Sequence, residues 1–126
     1  MKRPARLVTA VLLAAIALPA PAFAKDGDVI RRGGCTSGAD WKLKASPEDG
    51  RIEVEGEVDS SVNGQDWKWR MLHNGSVTAR GKATTSGPSG SFEVRRVVVN
   101  LKGEDVLKFR ARNPASGEKC SGALTF

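Results

Sequence analysis

Few residues of this chain could do chemistry. They are one histidine, His73, two cysteines, Cys35 and Cys120, the alternate glutamates Glu53, Glu55 and Glu57, and the stretch DVLKFRARN over 105–113. A histidine serves as a general base when it reaches a nucleophile and a third group orients it. His73 stands directly before Asn74-Gly75, a dipeptide of tight turns whose flanks face solvent and hold no neighbour rigidly. It reads as a turn-flanking polar residue. Paired carboxylates could cleave glycosides. Alternation, however, puts Glu53, Glu55 and Glu57 in one solvent-facing row along a strand, where cations such as Lys42 and Lys44 can balance them across strands. The glycines of SGPSG (86–90) precede a strand, not a helix, so no phosphate-cradling loop is present. Neither a catalytic residue nor a cofactor is expected, and the chain does not read as an enzyme.

Metal chemistry has two candidates. DSSVNGQD (59–66) carries the oxygen donors Asp59, Asn63 and Asp66, but it lacks the alternating acids and closing glutamate of a calcium loop. Two cysteines and one histidine make a poor zinc set. No metal is expected. In DVLKFRARN, Leu107, Phe109 and Ala111 share one side of an extended chain, and Lys108, Arg110 and Arg112 share the other. That basic row is either a binding surface or the wet side of a strand.

The compartment decides what the cysteines do. Lys2, Arg3 and Arg6 precede the 12 apolar-run residues LVTAVLLAAIAL, and Ala22-Phe23-Ala24 fits small-x-small cleavage. This is the pattern of a secretory signal peptide over 1–24, with Lys25 as the mature N-terminus. The run is too short for a bilayer core of about 30 Å, which needs roughly 20 residues. Cys35 stands too far downstream for a lipid anchor, and the KRPAR head has no adjacent arginine pair to mark twin-arginine export. A secreted, extracellular protein without a transmembrane anchor is expected. Without Lys2, Arg3 and Arg6, the 20 Lys and Arg fall to 17 against 14 Asp and Glu, a net of +3. That balance is mildly basic and does not suit specific nucleic-acid binding. An even cysteine count in an exported chain predicts one disulfide, Cys35–Cys120.

Short alternating runs separated by turn signals carry these residues. Residues 25–34 are polar and glycine-ended and read as a flexible lead, with the domain over 35–126. Trp41, Leu43 and Ala45 alternate, as do Ile52, Val54, Gly56 and Val58, then Trp67, Trp69 and Met71. Asn74-Gly75 predicts a type I′ hairpin that returns with Val77, Ala79, Gly81 and Ala83 facing inward. Arg95-Arg96 interrupts the alternation of FEVRRVVVN and predicts a bulge. DVLKFRARN and KCSGALTF complete the series. No window keeps an apolar period of 3.6, and turns recur about every 8–12 residues, which predicts an all-β antiparallel sandwich.

GEDVLKFRARNPASGE, with Trp67 and Trp69 on an earlier strand, resembles immunoglobulin and fibronectin type III domains. The resemblance implies an immunoglobulin-like β-sandwich of about seven strands. Phe109 takes the place of the corner tyrosine, and Ala111 that of the second immunoglobulin cysteine. The disulfide would instead join the first and last strands, which lie side by side in many such sandwiches. CTSGADWKLKA, the DWKWRMLHNG hairpin and the late Cys120 are also similar to small exported proteins of actinobacteria, a likeness that implies no activity.

The resemblance further implies that the strand of Lys108, Arg110 and Arg112 lies beside that of Lys68 and Arg70, with Arg80 and Lys82 beyond the hairpin. All seven would then share one outer face. The other sheet would carry Glu53, Glu55, Glu57 and Glu93 interleaved with Lys42, Lys44 and Arg95. An exported basic face attracts anionic cell-wall or envelope polymers and loses them as salt rises. It is equally what a solvated sheet face needs to resist edge-to-edge aggregation. The expected function is a non-catalytic binding or adhesion module for an anionic envelope component. The alternative is a small-ligand carrier or inhibitor using the loop end, with Asp59, Asn63 and Asp66 facing Asn113 and Glu118. The two-disulfide pattern of small secreted chromophore carriers is absent.

Overall fold

Period-two alternation buries one side of each strand, and strands so patterned are stable only when two sheets close over their apolar sides. A computed structural model describes residues 27–126; the expected signal peptide and its cleavage after Ala24 lie outside the described residues. Eight strands follow in order: β1 (Val29–Gly34), β2 (Asp40–Glu48), β3 (Arg51–Asp59), β4 (Asp66–His73), β5 (Ser76–Thr84), β6 (Ser91–Val99), β7 (Val106–Arg112) and β8 (Lys119–Thr125). They form two antiparallel sheets, ordered β1-β2-β3-β6 and β5-β4-β7-β8. The molecule is an antiparallel β-sandwich. Leu43, Ile52, Val54 and Val58 of one sheet meet Trp67, Trp69, Met71, Leu107 and Phe109 of the other in a single core.

Several sequence expectations need correction. The strand count is eight, because Val29–Gly34 in the expected flexible lead pairs with β2 from Val29↔Ala45 to Gly34↔Asp40. Polar composition concealed this edge strand, which buries little and is held by its ladder. No bulge occurs at Arg95-Arg96, since β6 pairs with β3 without a shift from Arg51↔Val99 to Asp59↔Ser91. Arg96 keeps the inward phase at the open edge of the sheet, where its guanidinium lies 5.0 Å from the Trp69 ring centroid. The irregularity falls instead between Met71 and Leu72, opposite Ala79 and Val77. It turns Val77 outward beside Leu72, against the inward position alternation predicts.

The Asn74-Gly75 turn is as expected, with φ of 47° and 85° at its two central residues, the positive pair a type I′ hairpin requires. Cys35 and Cys120 are bonded, with Cα atoms 4.4 Å apart. The bond does not join neighbours within one sheet. It runs from the segment after β1 to β8 in the opposite sheet, so it ties sheet to sheet at one edge.

Gly56 shares the inward phase of β3, where an apolar side chain would be expected. A Cβ there would sit 2.6 Å from the Phe109 ring, so the missing side chain is what lets the ring lie against the strand. Gly56→Ala is expected to destabilise the fold by about 1–3 kcal/mol, the cost of overpacking a core with no slack. Urea unfolding reads this directly, and an unmoved midpoint would show that Phe109 has room to yield.

Candidate functional site

The basic face follows from alternation combined with strand order. Once Trp67, Trp69 and Met71 are buried, Lys68 and Arg70 must point away from the core; Leu107, Phe109 and Ala111 do the same for Lys108, Arg110 and Arg112. The adjacency of β4 and β7, implied beforehand only by the family resemblance, is found, and it sets the cations directly opposite one another. Lys68 lies between Lys82 and Arg112, and Arg70 between Arg80 and Arg110. Lys108 pairs with Leu72, near the far end of the sheet. The structure therefore brings all seven predicted residues to one outer face, with Lys108 and Arg110 half-buried between neighbouring strands.

An eighth cation was missed. Lys119 opposes Arg112 on β8 and extends the face to the far edge of the sheet. The signal was present, because Cys120 points inward and its neighbour must point outward. Asp66 also shares the outward phase, at the rim beyond Lys68, where its carboxylate accepts a 2.7 Å hydrogen bond from the Thr84 hydroxyl.

Five directly opposed pairs on this face are like-charged: Lys68–Lys82, Lys68–Arg112, Arg70–Arg80, Arg70–Arg110 and Arg112–Lys119. Directly opposed like charges are destabilising. Among the described residues, none of the eight cations enters an ion pair within 4.0 Å. The sheet is concave between the rows, enclosing an open depression of about 780 Å³.

The other outer face carries both signs; Arg32 opposes Lys42 and Glu57 opposes Glu93, but its remaining charges are interleaved and ion-paired. Lys42 pairs with Glu57, and Glu55 stands between Lys44 and Arg95. Arg95 reaches Glu53, Glu55 and Glu93 at 3.5, 3.8 and 3.8 Å. Glu55 is not solvent-facing as expected but buried, because cationic neighbours on both sides cover it. Burial, then a hydrogen bond to Glu55 and repulsion from Glu55 and Glu57, hold the Glu93 carboxyl above its ordinary value, with Arg95 opposing them. Above that ordinary value the native state binds more protons here than the unfolded chain, so stability falls as pH rises through the window. Glu93→Gln removes this fall. Its unfolding midpoint should exceed that of the parent at pH 7 and converge on it by about pH 3, where the Glu93 carboxyl is protonated in both states. A gap that widens on acidification would reverse the assignment.

His73 departs from expectation. It is buried, with the phase of Trp67, Trp69 and Met71, and its Nε2 lies 2.6 Å from a carboxylate oxygen of fully buried Asp105. The same oxygen accepts a 3.3 Å hydrogen bond from the Leu101 amide. Turn proximity misled the reading, whereas alternation already had His73 facing inward. The pair ties the β6–β7 connection to the hairpin.

Four of the five loop-end residues, Asp59, Asp66, Asn113 and Glu118, are engaged within the fold. Asp59 accepts from the Ser61 amide, and Asn113 from the Ala115 and Ser116 amides. Glu118 is buried and accepts from the amides of Ser37 and Ala39 at 2.8 and 2.9 Å. Asp66 and Asn113 line one shallow depression, which Asp59, Asn63 and Glu118 do not. Among the described residues no group of three or more His, Cys, Asp or Glu could hold a metal ion. No family model, curated protein or solved structure matches the chain.

Proposed function

We propose that the mature chain, exported and beginning at Lys25, is a non-catalytic binding module that engages an anionic cell-envelope polymer through the β5-β4-β7-β8 face. One observation carries this reading: the two outer faces treat charge differently. On the β1-β2-β3-β6 face Arg32 opposes Lys42 and Glu57 opposes Glu93, but Lys42 and Arg95 are ion-paired with carboxylates of the same face, as a merely solvated face allows. Cations on the opposite face are set like against like without an internal counter-ion. Such a face is relieved when an external polyanion supplies the missing charge.

The test is adsorption to isolated envelope polymer over a range of salt. About five phosphate-type contacts, at roughly 0.7 per contact in the log–log slope, give roughly a 100-fold loss of affinity between 50 and 200 mM salt. The triple variant Arg70→Glu, Arg110→Glu, Arg112→Glu should lose the salt-sensitive adsorption and keep the parent's folding transition, because three of the five like-charged pairs become opposite, while the 70–110 pair stays alike with its sign reversed and Lys68–Lys82 is untouched. Unchanged adsorption by this variant would leave the face an ordinary solvated surface.

A further inference from the structure

The cations stand in two rows that run across the strands, with a floor between them. One row is Lys82, Lys68, Arg112 and Lys119; the other is Arg80, Arg70 and Arg110, ending at Ser121. Between them lie Gly81, Trp69, Ala111 and Cys120, of which the last three are buried and send their side chains into the core. The floor is therefore bare backbone. Strand geometry sets the rows about 6.8 Å apart and makes each wall about 14 Å long over three inter-strand steps. Such a groove takes one chain in single file. A duplex carries its phosphates on a cylinder and a bilayer carries them on a plane, so either would rest on the wall tips.

The chemistry of the walls narrows the occupant. Lys and Arg donate hydrogen bonds and accept none. Ser121 is the sole hydroxyl along the groove, and the nearest outward acid, Asp66, is held by Thr84. A polymer rich in hydroxyl donors would find one side-chain acceptor along the groove, the Ser121 hydroxyl. Every Trp and Phe among the described residues lies in the core or against it, so nothing on this face stacks on a base or a sugar ring. Guanidinium groups match phosphate oxygens two at a time. Resting on the binding function proposed above, we infer that the groove holds a single flexible strand bearing backbone phosphates, laid across the four strands from Lys82 to Lys119.

Inorganic polyphosphate chains of defined length and poly(glycerol phosphate), each fluorescently labelled, test this by anisotropy on the mature chain. Affinity should rise steeply with length until a chain spans about 14 Å and only slowly beyond. Duplex DNA and anionic vesicles at the same salt should bind at least tenfold more weakly. The two labelled polymers separate the possible sources of the phosphate. Lys82→Ala with Lys119→Ala, at opposite ends of the groove, should remove the advantage of long chains and leave the shortest within about twofold. The charge-matched pair Arg32→Ala with Lys102→Ala, away from this face, should change neither. Equal effects of the two pairs, absence of a length threshold, or duplex binding as tight as polyphosphate would each overturn the groove. If envelope adsorption is still lost in the Arg70, Arg110, Arg112 triple variant, the binding function survives that failure. If no polyanion binds, both fall.

Discussion

Replacing Cys35 and Cys120 together with alanine is expected to lower the unfolding free energy by about 4–5 kcal/mol. The bond closes a loop with a sequence separation of 85, and in the chain-entropy account a loop of that length restricts the unfolded ensemble by about that amount. Small domains are stable by only about 5–15 kcal/mol, so the change takes away a large part of the total. The β-sandwich itself should persist. The segment after β1 is also held to β8 by the Thr36 amide on the Lys119 carbonyl at 3.0 Å and by the Lys119 amide on the Thr36 hydroxyl at 2.9 Å. Buried Glu118 caps the Ser37 and Ala39 amides beside them. Denaturant unfolding of the parent and the double variant, with circular dichroism of each before the transition, checks both halves. A loss below about 1 kcal/mol would mean that the unfolded chain already holds these ends together.

The second large effect belongs to the buried pair. Asp105→Ala is expected to cost about 3 kcal/mol, because it strands a buried imidazole and removes the acceptor of the Leu101 amide. Asp105→Asn keeps an acceptor in place and should cost less. His73→Leu combined with Asp105→Ala should cost less than the two single changes summed, with a coupling of about 1–3 kcal/mol, since neither partner is then left unpaired. Additive costs would show that the 2.6 Å contact contributes nothing of its own. Polyanion binding by the folded fraction should not move, because His73 and Asp105 lie inside the core while the basic rows lie outside it. A binding loss that matched the stability loss would tie the pair to the face.

The Glu93 and Gly56 predictions concern the same layers from their two sides. Glu93 reports on a face whose charges are nearly balanced. Gly56 reports on an interior where one methyl group is too many. The contrast between the balanced face and the unbalanced one separates a solvated surface from a candidate interface.

What this sequence determined by itself is whatever depends on residues two apart or on one turn. Alternation decided which side of each strand is buried, since a slip of one residue would drive charges into the core. Asn74-Gly75 decided the hairpin, because both positions tolerate positive φ. The cysteine pair and the absence of any helical period were legible in the same way. Tertiary structure alone decided which strands are neighbours. Arg70 and Arg110 are 40 positions apart, and nothing local says that β4 lies beside β7; only the closing of two sheets over one core brings Arg80, Arg70 and Arg110 into one row. It also decided that polar Val29–Gly34 would add an edge strand, that Arg96 could keep an inward phase above Trp69 at an open edge, and that Glu55 would be covered. Each of these turns on what stands across from a residue, and a chain read along its length shows only what stands beside it.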